Sequence, residues 1–158
     1  AEDFADKYPE AKFFAGKKPW EVKCDICMPC ATQNEVRIDD AKNMVANGLK
    51  YYVEVANMPT TPDAVEYLLA NGVIVAPSKA VNAGGVATSG LEMTQNSIRM
   101  SWTGEEVDEK LKGIMKNIFE SSAKAAEEYG MKGNLIAGAN IVGFLKVAEA
   151  MKWQGIAY

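Results

Sequence analysis

The feature that most constrains this chain is a short apolar run followed by a polar loop that contains proline, a unit that occurs three times. The runs are residues 24–28, 49–55 and 73–75. Their length and their content of Val, Ile and Tyr predict buried strands. Single helices are predicted between them, and short strands joined in this way form a parallel sheet with right-handed crossovers. The sequence therefore predicts an α/β fold with about three parallel strands.

Two short helices are predicted between these strands. The first would be capped by Asp39 or Asp40 and run to Ala46, and the second would begin at Pro62 after a Thr61 cap. Each is followed by an Asn-Gly pair, at 47–48 and 71–72, which favours a left-handed stop.

After Pro77 the pattern predicts helices only. The expected spans are about 83–102, then 105–129 with Thr103 as its cap, and finally about 135–153. Residues 1–20 are polar and mixed, and they favour no element.

Composition excludes several partners and several kinds of catalytic chemistry. The 158 residues carry a net charge of −4 with no basic patch, so neither nucleic acid nor a membrane surface is an expected partner. No apolar run is long enough to span a bilayer, no signal peptide is expected at the start of this sequence, and three cysteines suit a reducing, cytoplasmic setting. Histidine is absent, which excludes Ser-His-Asp and Cys-His chemistry within the chain. Cys24, Cys27 and Cys30 have metal-like spacing, but an extended run would hold them apart, so no metal is predicted.

The polar loops after the strands are candidate binding segments. They are residues 29–35 (loop 1), 56–61 (loop 2) and 77–85 (loop 3). Ligands of open parallel sheets bind beyond the carboxyl ends of the strands, so the three loops should face one side. Their Asn, Gln and Thr side chains suit amides and hydroxyls, although such residues also serve simply as turn formers and caps.

One face of the helix predicted after loop 3 carries further candidate binding residues. Asn82, Val86, Ser89 and Met93 follow helical spacing, and Asn82 is a candidate cap for the helix that begins there. On spacing alone, a plain helix with a buried Ser89 is the favoured interpretation.

Four segments together resemble the hexameric glutamate dehydrogenases. They are residues 29–35, 56–61, 82–93 and 138–144. The resemblance implies the second half of a Rossmann-type cofactor domain, followed by C-terminal helices. It also implies oxidative deamination of L-glutamate to 2-oxoglutarate and ammonia, with NAD or NADP as cofactor and a slight preference for NAD.

The resemblance also implies residue roles. Ala31, Thr32, Gln33 and Asn57 would lie near the nicotinamide ribose, and Asn82 would bind the nicotinamide amide. Val86 and Ser89 would line the substrate pocket, where the Ser89 hydroxyl donates to the γ-carboxylate.

Parts of the family pattern are missing from this sequence. No G-x-G-x-x-G occurs, and the family's catalytic lysines and aspartate have no counterpart, so no catalytic residue is assigned in this chain. We expect a fragment that is inactive alone, with residues 1–133 in the nucleotide-binding domain and residues 134–158 returning to the substrate domain. The family forms homo-hexamers, and the broad apolar surface of the last helix predicts self-association of this chain.

Two alternatives stay open. A leucine, valine or phenylalanine dehydrogenase of the same superfamily would be expected to carry an apolar group in place of Ser89, so this serine favours glutamate. A standalone, non-catalytic binding module is the alternative from another class.

Overall fold

The computed structural model describes residues 2–155. Three strands are present, and they are β1 (Ile26–Cys27), β2 (Tyr51–Val53) and β3 (Ile74–Ala76). The first four helices are α1 (Glu2–Lys7), α2 (Ile38–Ala46), α3 (Pro62–Ala70) and α4 (Ser78–Val81). The last three are α5 (Ala83–Ile98), α6 (Gly104–Glu128) and α7 (Leu135–Gln154). A single 3-10 turn covers Pro19–Glu21.

The sheet is parallel with the order β1-β2-β3, as predicted. The strands β1 and β2 are shorter than the apolar runs that predict them, and β3 is shifted by one residue from its run. Proline has no N–H to donate to a ladder, and Pro29 and Pro77 lie just beyond two of the strands. The Pro29 carbonyl instead accepts hydrogen bonds from the amides of Val55 and Ala56, at 3.1 and 3.0 Å.

The strands bury one side only, whereas the first of them was expected to be a buried strand. Cys27, Tyr52 and Val75 point into the core together with residues of α2 and α3 such as Met44 and Leu68. The opposite row consists of Ile26, Tyr51 and Ile74, which are paired across the sheet and are 55, 46 and 45% exposed. Since parallel sheets are usually covered on both faces, this row is an unusual exposed apolar surface.

The starts of the short helices differ from the predictions. α2 begins at Ile38, so Asp39 and Asp40 lie inside its first turn and neither is the cap. The Asp40 carboxylate accepts from the Arg37 amide at 2.9 Å, which is why the start lies further back. Thr61 does precede α3, but its hydroxyl makes no capping hydrogen bond.

The later helices follow their predicted order. α5 stops at Ile98 rather than near Trp102, because Arg99 turns left-handed and the Trp102 amide donates to the Gln95 side chain. Thr103 caps α6 as predicted. Its hydroxyl accepts from the Glu106 amide at 3.2 Å, and the Glu106 carboxylate accepts from the Thr103 amide at 2.7 Å.

The helix α7 packs against α6 and β3. At Gly138, an added Cβ would lie 1.9 Å from the Ser122 carbonyl oxygen, so only glycine permits this approach. At Gly143, by contrast, nothing lies within 4 Å of an added Cβ. Within residues 2–155, no helix is both long and apolar enough to cross a membrane.

Candidate functional site

Loops 1 and 2 are joined by backbone hydrogen bonds. The Asn34 amide donates to the Met58 carbonyl at 3.0 Å, and Val36 forms a parallel bridge with Thr60. The Thr60 hydroxyl is in turn 2.7 Å from the Tyr52 hydroxyl, in the buried core. The two loops therefore lie side by side beyond the carboxyl ends of β1 and β2, in the arrangement that the topology predicts.

Loops 2 and 3 meet through side chains. The Asn82 amide nitrogen donates to the Asn57 side-chain oxygen at 2.6 Å. Next to this pair, the Ser78 amide donates to a Glu54 carboxylate oxygen at 3.2 Å. Asn57 and Asn82, which the sequence places on separate loops, are thus in direct contact.

Asn82 does not cap α5, which corrects the sequence-based interpretation. Its backbone has φ −82° and ψ 0°, so it continues the helical turn from α4 into α5. The side chain makes no capping bond and points to Asn57 instead. The short helix α4, which the sequence did not predict, is the reason.

Ala31, Thr32 and Gln33 are exposed and line an open cleft of about 880 Å³. The Glu35 carboxylate accepts from the Ala31 amide at 3.0 Å and so closes loop 1 on itself. On the other wall, Lys18 donates to the Glu35 carbonyl at 2.8 Å. The connection from this loop to the Asn57 loop is the Asn34–Met58 backbone bond.

Val86 and Ser89 lie on the open face of α5. Val86 is 72% exposed and Ser89 is also exposed, so the interpretation of Ser89 as a buried serine is wrong. The Ser89 hydroxyl has only a long contact, 3.4 Å, to the Gly85 carbonyl. Its donor capacity is therefore largely available to a ligand.

Two contacts at this edge were not predicted. Glu54 is buried at 7% exposure, and an acidic residue inside the apolar run 51–55 was the signal that could have identified it. Lys79 donates to the Asn140 side chain at 2.5 Å, which connects loop 3 to α7. Asn140 belongs to the fourth resembling segment, residues 138–144.

The cysteines are free thiols, of which Cys27 is buried and Cys24 and Cys30 are exposed. Burial raises the pKa of Cys27 from 9.0 to about 12. In residues 2–155, no three His, Cys, Asp or Glu side chains come together as metal ligands would.

Known sequences match this chain over nearly its whole length. The profile of the Glutamate/Leucine/Phenylalanine/Valine dehydrogenases matches residues 1–155. The NAD-specific glutamate dehydrogenase of Clostridium symbiosum is 60% identical over 158 residues, which are 99% of this chain and 35% of that protein. The NADP-specific glutamate dehydrogenase of Giardia intestinalis is 55% identical over 156 residues, 97% of this chain and 35% of that protein.

Solved structures agree in fold. A glutamate dehydrogenase with 60% identity superimposes with a TM-score of 0.96 over 100% of this chain and 35% of its own. The Plasmodium falciparum glutamate dehydrogenase has 50% identity and a TM-score of 0.95, over 99% of this chain and 34% of its own. These structures confirm the α/β fold with three parallel strands and flanking helices. The chain spans about a third of the length of its relatives, and it belongs to the Glutamate/Leucine/Phenylalanine/Valine dehydrogenase family.

Proposed function

We propose that this chain provides the nicotinamide side and part of the substrate pocket of an L-glutamate dehydrogenase that uses NAD or NADP. The reaction would convert L-glutamate to 2-oxoglutarate and ammonia. The observation that carries the proposal is the contact between Asn57 and Asn82 beyond the strand ends. The C. symbiosum and G. intestinalis relatives are named for the same activity with different coenzymes, so both coenzymes are retained.

The asparagine pair suits a nicotinamide carboxamide. Because the Asn82 nitrogen already donates to Asn57, the Asn82 side-chain oxygen is left to accept a hydrogen bond from a carboxamide N–H. The Asn57 nitrogen remains a donor, and a ribose hydroxyl is a suitable acceptor. We therefore assign the carboxamide to Asn82 and a place near the nicotinamide ribose to Asn57.

Loop 1 would hold the other side of that ribose through Ala31, Thr32 and Gln33. Their exposure, and the backbone hydrogen bond that joins Asn34 of loop 1 to Met58 of loop 2, support this assignment. The internal Glu35–Ala31 bond keeps the loop preformed, which lowers the entropy that coenzyme binding must overcome. When bound, the nicotinamide supplies the hydride acceptor, and these residues of the chain would orient it.

Val86 and Ser89 would contact the substrate side chain. The exposed Val86 packs against methylene groups, and the Ser89 hydroxyl donates to the γ-carboxylate. A hydrogen bond to a charged group contributes about 1.5–3 kcal/mol. An apolar substrate would leave this hydroxyl without a partner, so the site favours glutamate over leucine, valine or phenylalanine.

The chain alone would be inactive. We assign none of its residues to proton transfer, and the glycine motif that binds the pyrophosphate is absent from the sequence. The assignment of residues 134–158 to a segment that returns to a substrate domain is part of the same proposal. Glutamate-dependent coenzyme reduction by the purified 158-residue chain would contradict it.

The proposal is tested by steady-state kinetics on a full-length enzyme that carries this chain. We expect Ser89→Ala to lower kcat/KM for glutamate by about 10- to 150-fold, the equivalent of one charge-assisted hydrogen bond. Thr88→Ala is the matched control, because the Thr88 hydroxyl is held by the Gly84 carbonyl at 2.9 Å. Turnover of leucine or phenylalanine at least as fast as glutamate would identify the other branch of the family instead.

A further inference from the structure

Glu54 is the one charged side chain that is buried within residues 2–155, at 7% exposure. It directly follows β2 and lies three positions before Asn57. Burial of a carboxylate is costly unless hydrogen bonds compensate for lost water. Its place in the fold therefore requires an explanation, and the contacts of the carboxylate give one.

The Glu54 carboxylate holds the start of α4. One of its oxygens accepts from the Ser78 amide at 3.2 Å, while the Glu54 amide donates to the Ala76 carbonyl at 3.0 Å. Ser78 opens α4, and its carbonyl accepts from the Asn82 amide at 2.9 Å. The one-turn helix α4 thus connects the Glu54 carboxylate to Asn82 through the backbone of Ser78.

The contacts form a closed ring. From Glu54 the path runs through Ser78 to Asn82. It then crosses the side-chain hydrogen bond of 2.6 Å to Asn57 and returns along the backbone from Asn57 to Glu54. A helix of four residues has too few hydrogen bonds to hold its own orientation. The Glu54 carboxylate at the first residue of α4 is therefore one of the contacts that fix the position of Asn82, which directly follows this helix.

We propose that Glu54 is a positioning residue that aims the Asn82 side chain at the coenzyme carboxamide. The proposal rests on the function proposed above. Glu54 itself touches neither coenzyme nor substrate in this account. Its effect is on the orientation of Asn82 and therefore on discrimination among coenzymes that differ at the carboxamide.

The test compares the natural coenzyme with its acetylpyridine analogue, in which a methyl group replaces the amide nitrogen. The readout is the ratio of the two kcat/KM values in a full-length enzyme that carries this chain. Wild type should prefer the natural coenzyme, and Glu54→Ala should reduce that preference by about 2- to 10-fold, the equivalent of one neutral hydrogen bond. Glu54→Gln keeps the length and an acceptor oxygen, and it should retain most of the preference.

Ser78 offers an independent variant at the other end of the contact. Ser78→Pro removes the amide donor at the first helical position, where proline is well tolerated, and should reduce the preference as Glu54→Ala does. Ser78→Ala keeps the amide and should retain it. Leu68→Ala, in the core of α3, should lower the melting temperature without changing the ratio.

An unchanged ratio in Glu54→Ala or in Ser78→Pro would overturn the positioning role. Should Glu54→Ala fail to fold, Ser78→Pro alone decides. A wild-type enzyme that lacks glutamate turnover would overturn the proposed function instead. The preference would then be measured as the ratio of coenzyme affinities by calorimetry, and the positioning role would be judged on that ratio.

Discussion

The three cysteines are spaced evenly in sequence but differ in their surroundings. Cys27 lies on the buried side of β1, whereas Cys24 and Cys30 are exposed. Cys30 is in loop 1, where its thiol lies 3.1 Å from the Met28 carbonyl. Because Cys30 is exposed, its thiol is accessible to reagents in solution.

Alkylation of the native protein should distinguish these thiols. Near neutral pH, iodoacetamide should label Cys24 and Cys30, while Cys27 reacts only after unfolding because burial keeps it protonated and inaccessible. Peptide mapping by mass spectrometry gives the labelled fraction at each position. Equal labelling of Cys27 in the native state would contradict its place in the core.

The same burial predicts a pH dependence of stability. The pKa of Cys27 is raised from 9.0 to about 12, so the unfolded chain ionises at a lower pH than the folded one. The stabilisation from keeping this thiol neutral is present below 9.0 and is lost as the pH rises towards about 12. Denaturant unfolding at several pH values should therefore show a steeper loss for wild type than for Cys27→Ala.

The positions of some residues were predictable from the topology of the sheet. Asn57 and Asn82 could be placed at the binding edge because parallel topology brings strand ends together. The exposure of Ser89 could not, because helical spacing alone does not tell which side of α5 is covered. Glu54 was missed although it is acidic within an apolar run, because the run alone does not show that the Ser78 amide partners its carboxylate.

At the scale of elements, the helix α7 depends on one close contact. Gly138→Ala would place a methyl group 1.9 Å from the Ser122 carbonyl, so the backbone of α6 or α7 must shift. We expect a loss of about 1–3 kcal/mol in the free energy of unfolding, as for overpacked cores. Chemical denaturation of the variant and of wild type measures the difference.

Gly143→Ala is the matched control on the same helix. Nothing lies within 4 Å of an added Cβ there, so the variant should gain up to about 1 kcal/mol from helix propensity alone. Equal destabilisation by the two substitutions would mean that α7 does not pack on α6 through Gly138.

Helix ends were predicted where a short residue motif marks them. The Asn-Gly stop at 47–48 and the Thr103 cap predicted the end of α2 and the start of α6. Prediction failed where contacts between different parts of the chain accompany the end or the presence of a helix. The Trp102 amide donates to Gln95 where α5 ends, and α4 forms beside the Glu54 carboxylate from four residues with no periodicity of their own.

At the scale of the whole molecule, two apolar surfaces lack cover within residues 2–155. One is the sheet row of Ile26, Tyr51 and Ile74. The other is on α7, where Phe144 is 70% and Trp153 is 79% exposed. Exposed patches of this kind mark interaction surfaces.

We therefore expect the isolated 158-residue chain to self-associate. Light scattering should give a mass above that of a monomer, and the double substitution Phe144→Ser with Trp153→Ser should lower it because it removes apolar surface. Lys112→Ser, at an exposed position of α6, is the control. A clean monomer at high concentration would contradict this expectation.

The central claim is that loops 2 and 3, together with the open face of α5, form one half of a coenzyme and substrate cleft. The most direct test is a crystal structure of a full-length enzyme carrying this chain, with the oxidised coenzyme and 2-oxoglutarate bound. The account predicts the carboxamide nitrogen at about 3 Å from the Asn82 side-chain oxygen, and the γ-carboxylate at a similar distance from the Ser89 hydroxyl. A nicotinamide bound away from Asn82, or a γ-carboxylate held by residues other than Ser89, would contradict it.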